Sequence, residues 1–376
     1  MTGAVPIPLR ARLLGWLISP RLAVVCLGLL MVLTFWGTVY QVDHGLFAAQ
    51  ERFYNSWVLW WGGFLPFPGT QLVLAVLTAN LLAYLGSLLV QPRVSPGILV
   101  IHVGLLTMLL GGGVTHYFAE EAQLTLEEGE TSSVAASYHE WELAVWRQDG
   151  GVREVLAATS DAFAPGQAVR FEQLGLTVAV EAYYRNARAF QSGAPQQPPA
   201  LSRFGLSSLQ GTREAREPAE NIAGGIFEIR PDGGDPTRVI LFGEDVAPRS
   251  FALAGGEYQV ALRRKRTPLP FVVTLRDFKR ELHPGTEMAR AFSSDIEVNS
   301  DGVDRALTIS MNKPFRERGY TLYQASYRED EGRQWSTFAV TRNYGRLIPY
   351  VSTAVIVLGM IWHFVVLLVR RVRARA

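Results

Sequence analysis

The sequence predicts an integral membrane α-helical bundle of four spans that carries a large extracytoplasmic all-β domain, sandwich or barrel-like. Three observations lead there. Residues 22–40, 70–90, 97–115 and 347–369 are apolar runs without Asp, Glu or Lys, each about the 20 residues needed to cross roughly 30 Å of hydrocarbon. Residues 118–345 hold nearly all of the charge, although the whole chain is balanced, with 36 Lys+Arg against 34 Asp+Glu. Within that charged stretch the apolar residues come in short segments of strand character. Balanced charge and 48% hydrophobic content exclude a disordered chain and a nucleic-acid binder. The division that follows is an N-terminal membrane region over 1–117, a periplasmic β-rich domain over 118–345, and a fourth span with a basic cytoplasmic tail over 346–376. The N-terminal region holds spans at about 22–40, 70–90 and 97–117 and an interfacial helix at about 45–60.

Arginine placement sets the expected orientation, because positive residues near span ends stay in the cytoplasm. Arg10, Arg12 and Arg21 precede the first span, Arg93 separates the second from the third, and Arg370, Arg371, Arg373 and Arg375 follow the fourth. Both termini are then cytoplasmic and the large domain is periplasmic, in a bacterial inner membrane. A cleaved signal peptide is the alternative for the first span, but "TFWGTVYQVDHG" lacks a small-x-small site. Cys26 is the single cysteine, which excludes an intrachain disulfide, and without C-x-x-C-H the chain is not itself a c-type cytochrome.

Between the first two spans, "GLFAAQERFYNSWVLWWGGFLPFPG" mixes apolar and polar residues at helical spacing and ends rich in tryptophan. This predicts an interfacial helix whose Trp57, Trp60 and Trp61 either form an aromatic belt or floor a cofactor or partner site. The strands are read in "AQLTLEEGE", "WELAVWR", "LTVAVEAYY", "IFEIR", "TRVILFG", "EYQVALRRK", "FVVTLRDFK", "SDIEVNS", "ALTISMN", "YTLYQASY" and "STFAVTRN". Residues 193–218, with clustered prolines and few apolar residues, read as a mobile surface loop.

Six histidines are present. A ring inside hydrocarbon is costly and by default marks a site; the bland alternative is a histidine satisfied by a neighbouring carbonyl or hydroxyl. His102 and His116 stand fourteen residues apart on the third span, which puts both on one helix face within about 40° and separates them by about 21 Å. Counted from Pro96 and Arg370, His102 and His363 both fall about 9–11 Å inside the cytoplasmic edge. His44 sits beyond the first span, at the level of His116. Two pairs at matching depths are what bis-histidine ligation of haem b, one or two groups, would require. Gly37, Gly104, Gly111, Gly112, Gly113 and Gly359 would let a flat macrocycle approach, while ordinary small-residue packing accounts for any one of them. Zinc fits less well, since neither depth offers a thiolate or carboxylate. His139 and His283 read as surface residues of the β-domain.

"LPFVVTLRDFKRELHPGTEMARAFSSDIEV", "ISMNKPFRERGYTLYQASY" and "STFAVTRNYGRLIPYVSTAVIVLGM" resemble the ResB (CcsB) family of System II cytochrome c biogenesis proteins. "GTVYQ", "AQERFYNSW" and "ILVIHVGLL" at the front agree with it. The resemblance implies a part in holding or exporting haem and assisting its ligation to apocytochrome c beside a CcsA/ResC-type membrane partner. It also implies that His102 is a transmembrane haem ligand. Since "SWVLWWGGF" is not the partner's tryptophan motif, the chain is expected to be a non-catalytic subunit of a haem lyase. Family members take the second membrane ligand from the partner, whereas His363, His116 and His44 offer ligands within this chain. A two-haem b-type transmembrane electron carrier and a membrane-anchored scaffold of a respiratory or assembly complex therefore stay open.

Overall fold

The computed structural model of the chain describes residues 14–90, 95–147, 154–191, 206–244, 248–253, 256–286 and 288–375. Arg10, Arg12 and Arg93, used above for orientation, lie outside them. The chain divides into a helical unit, residues 1–120 with 343–376, and a β unit, residues 121–342.

Among the described residues, four helices of the first unit are long and apolar enough to cross a membrane: α1 (Pro20–His44), α2 (Thr70–Val90), α3 (Pro96–Phe118) and α4 (Ile348–Arg373). Proline in the first turn marks three of these starts, where its missing N–H has no helical partner to lose. Consecutive helices pack on one another along the chain. Hydroxyls inside the apolar runs bond back to their own helix, as Thr78 does to the Leu74 carbonyl and Thr107 to that of Val103, so they need no outside partner. Asn80, buried on α2, instead donates its amide to the carbonyls of Leu17 and Ser19, tying the start of α1 to the middle of α2.

After α1 the chain turns at Gly45, whose φ of 85° suits glycine. It continues as one helical turn, Leu46–Ala49, and a π turn, Gln50–Tyr54. The interfacial helix anticipated through residue 60 therefore stops at Tyr54. Trp60 and Trp61 belong to a β-hairpin of β1 (Val58–Trp61) and β2 (Leu65–Pro68), in register Trp61 to Leu65. Gly62 and Gly63, at φ 60° and 83°, allow the reversal that a helix could not make.

The β unit has two cores, one sandwich-like and one built by a curled sheet. The long strands β4 (Thr131–Arg147) and β13 (Gly256–Leu282) pair antiparallel and run through both. At one end, β4 and β13 together with β5 (Val155–Thr159) and β12 (Arg249–Leu253) share a core with a four-stranded sheet. That sheet has the order β11 (Thr237–Phe242), β10 (Gly224–Pro231), β7 (Leu176–Tyr184), β6 (Ala168–Phe171). Leu143, Val145, Val178, Val180, Phe227 and Leu262 meet there. At the other end the large sheet continues from β13 through β14 (Ala289–Ser300) to β15 (Val303–Ser310). From β4 it continues through β3 (Glu120–Glu127), β18 (Arg333–Arg342) and β17 (Tyr320–Asp330) to β16 (Phe315–Glu317). It curls until Ser294 of β14 bonds Gln324 of β17 and Ser336 of β18, at 2.8 Å each, inside the core.

Two sequence expectations are corrected here. "EYQVALRRK" and "FVVTLRDFK" are one strand, because the proline-bearing stretch between them is absorbed by register shifts between Arg264 and Arg266 and between Pro268 and Val273. Of the anticipated 193–218 loop, residues 193–205 lie outside the described residues, but Leu206–Gly211 form β9 and pair with β8 (Ala187–Gln191). Reversals between strands follow the expected chemistry. Asp301-Gly302, Arg318-Gly319 and Glu331-Gly332 all have positive φ at both positions, the two-residue turn that matches strand twist.

Phe227 is fully buried at the centre of the first core. Phe227→Ala is expected to cost about 3–5 kcal/mol of unfolding free energy, read from denaturant unfolding of the full chain. Arg264 of β13 is part-buried, lies 4.3 Å from the centre of the Trp141 ring, and donates to the carbonyls of Tyr138, Ala219 and Asn221. Burial lowers its pKa from the usual arginine value. Arg264→Met keeps the stem but orphans three acceptors, and about 3 kcal/mol of destabilisation is expected in the same measurement.

Candidate functional site

The seam between α3 and α4 is closed by glycine. A Cβ at Gly97 would lie 2.6 Å from the backbone nitrogen of His363, one at Gly104 would lie 2.6 Å from Ile356 Cγ1, and one at Gly359 would lie 2.8 Å from the backbone nitrogen of Ile101. Gly111 is packed just as tightly against Ile348. These glycines serve helix packing, the plainer of their two readings. Gly112 and Gly113 have nothing within 4 Å, and Gly37 faces the Tyr54 ring.

His102 stands about 140–160° around α3 from the Gly97–Gly104 stripe. Its half-buried ring turns to α2, 5.0 Å from the Tyr84 ring. Its Nδ1 is 2.8 Å from the Ile98 carbonyl. A carbonyl only accepts, so Nδ1 carries the proton and Nε2 keeps a free lone pair, the arrangement a metal-ligating histidine needs. His363 sits on the other side of α3. Its backbone abuts Gly97 and its Nδ1 is 3.1 Å from Ser95 Oγ.

The structure does not bring His102 and His363 together. With Gly97 opposite His363 and Gly104 opposite Ile356, His102 lies about 7–8 Å farther along α3 than His363. Counting depth from Pro96 and Arg370 assumed that both helices end in one plane, but α4 runs on to Arg373.

His116 is exposed near the end of α3, its Nε2 3.0 Å from the Gln71 side-chain nitrogen of α2. The amide donates, so that lone pair is taken. His44, exposed at the end of α1, stacks on Tyr40 with ring centres 3.9 Å apart. It points Nδ1 at the Tyr40 carbonyl, 3.2 Å away. His44 and His116 engage different partners and are not brought face to face. Tyr84, Gln71 and Ser95 were not legible as ring partners, since nothing local in their sequence marks them. His139 and His283 are exposed in the β unit.

Comparison with known proteins gives a family match away from the histidines of the helical unit. Residues 250–334 match the ResB-like family. That segment is ResB-like. NrfI of Wolinella succinogenes is 27% identical over 109 residues, 28% of this chain and 12% of NrfI, so the chain spans a small part of that relative's length. The ResB-like segment runs from β12 into β18 and supplies most of the curled-sheet core. Its "NKPFRERGYTLYQASY" motif is explained by packing. Tyr320 and Phe315 meet the Phe271 ring edge-on, Arg318-Gly319 makes the turn, Gln324 joins the buried hydroxyl network, and Tyr327 stacks on Phe278. All four membrane-helix histidines lie outside the matched residues.

Proposed function

We propose that this ResB-like chain holds haem b in its helical unit and serves cytochrome c maturation, beside a CcsA/ResC-type membrane protein and with apocytochrome c as client. The observation that carries the reading is His102. Its imidazole lies on a helix apolar enough to span a membrane, with Nδ1–H fixed on the Ile98 carbonyl and Nε2 open. Bound haem would supply a redox-active iron and the vinyl groups that thioether formation consumes; the chain's own work is to orient one axial imidazole and hold it half-buried between α2 and α3. Nothing in this arrangement forms a covalent bond, and the only cysteine, Cys26, is buried in α1.

The second axial position is proposed to be filled by the partner. His363 lies across α3 from His102 and His116 already holds Gln71, which favours a single haem over a two-haem electron carrier. Cytoplasmic termini and a periplasmic β unit complete the proposal. A reduced-minus-oxidised spectrum and pyridine haemochrome count on the purified chain, alone and with its membrane partner, test it. Haem absent under both conditions sinks it in favour of the scaffold.

A further inference from the structure

The end of α1, the π turn and the β1–β2 hairpin enclose a cavity of about 330 Å³, in the helical unit but apart from His102. Its walls are aromatic. Trp36 and Trp61 pack on one another with ring centres 4.0 Å apart and planes tilted by 46°, and Phe67 meets Trp36 edge-on. Its rim carries Asp43, His44 and Arg52. Arg52 lies over the Tyr40 ring at 5.1 Å, and among the described residues neither Arg52 nor Asp43 is held in an ion pair. The Tyr40 carbonyl holds His44 Nδ1, leaving Nε2 as an acceptor. The cavity thus combines aromatic walls with one strong donor and two acceptors.

An occupant that fits this lining is small, apolar in its body and able both to donate and to accept. Two hydroxyls on one aromatic ring meet that demand: their protons suit His44 Nε2 and Asp43, and their oxygens suit the Arg52 guanidinium. The volume is at the small end of ligand pockets, room for a one- or two-ring head group. A lipid-soluble tail has a path as well. Phe35, Val39 and Val42 are 71%, 52% and 66% exposed at i, i+4 and i+7 on one face of α1, and Val39 also lines the cavity. We propose that this cavity binds the head group of a membrane quinol, with the tail along Phe35, Val39 and Val42. The inference does not draw on the haem reading.

The test is titration of the full-length, detergent-solubilised protein with a decyl-tailed benzoquinol, read as quenching of tryptophan fluorescence. Saturable quenching is expected. His44→Gln and Arg52→Gln should each weaken it about tenfold, the loss of one charge-assisted or ring hydrogen bond, with unchanged thermal unfolding midpoints. Leu358→Ala, on the exposed face of α4, should bind as the parent does. Three results overturn the proposal: quenching that stays linear and equal in parent and variants; equal saturation by the decyl-tailed dimethoxybenzene, which has no hydroxyl to donate; or displacement at equal concentration by phosphatidylglycerol, which would make this a headgroup phosphate site.

Discussion

His102→Ala is expected to remove haem b from the proposed site, lowering the pyridine haemochrome count to under about a tenth of the parent value. An axial imidazole whose Nδ1–H is fixed by the Ile98 carbonyl enters the iron site already oriented. Alanine removes both the ligand atom and the hydrogen bond that aimed it. The same substitution should leave the helical unit folded, because Tyr84 loses only one ring neighbour. His363→Ala and His116→Ala are expected to keep most of the haem, since one faces Ser95 beyond the glycine seam and the other is occupied by Gln71. Retention of haem by His102→Ala, with loss in His363→Ala, would reverse the assignment. Added imidazole restoring the His102→Ala spectrum would separate a missing ligand from a damaged fold.

Gly104→Leu is expected to lower the stability of the helical unit by about 1–3 kcal/mol or more, the range for forcing bulk into a filled site. Even a Cβ would meet Ile356 Cγ1 at 2.6 Å and the Ser352 carbonyl at 3.1 Å. The Ser352 carbonyl and the Ile356 nitrogen, each 3.1 Å away, cannot retreat because both belong to the α4 backbone. Gly112→Leu is the matched control, with nothing within 4 Å of its Cβ, and should change stability by under about 0.5 kcal/mol. Thermal unfolding in detergent, followed by tryptophan fluorescence, distinguishes the two. Equal tolerance of both substitutions would mean that the α3–α4 seam is looser than its glycine contacts require.

Elements whose cause is local could be read without a structure. The four apolar helices follow from run length and absent charge, and their starts from Pro20, Pro96 and Pro349. Short strands such as Leu176–Tyr184 follow from β-branched and aromatic alternation, and the tight turns from Asp301-Gly302 and Glu331-Gly332. Local signals failed where long-range pairing overrode them. "EYQVALRRK" and "FVVTLRDFK" read as two strands, yet β13 runs through both because β4 pairs on both sides of the irregularity. "SWVLWWGGF" read as the end of an interfacial helix whose tryptophans form a belt or floor a site, yet Gly62-Gly63 folds it back as a hairpin.

His102 illustrates the division most sharply. Its residue type, its setting on an apolar helix and its resemblance to a ligand were all legible in sequence, as was the ResB-like core motif. Which way its ring faces was not. Facing depends on where α3 meets α4 and α2, and that register is set by glycines whose packing partners lie some 250 residues away along the chain. The sequence by itself determined four apolar helices, a strand-rich domain and a candidate ligand. Only the tertiary structure decided that His102 and His363 lie on opposite sides of α3, that Gln71 takes up His116, and that His44 borders an aromatic cavity. The physical reason is that hydropathy and turn chemistry act within a few residues, whereas helix stagger and ring partners arise from steric contacts between distant segments.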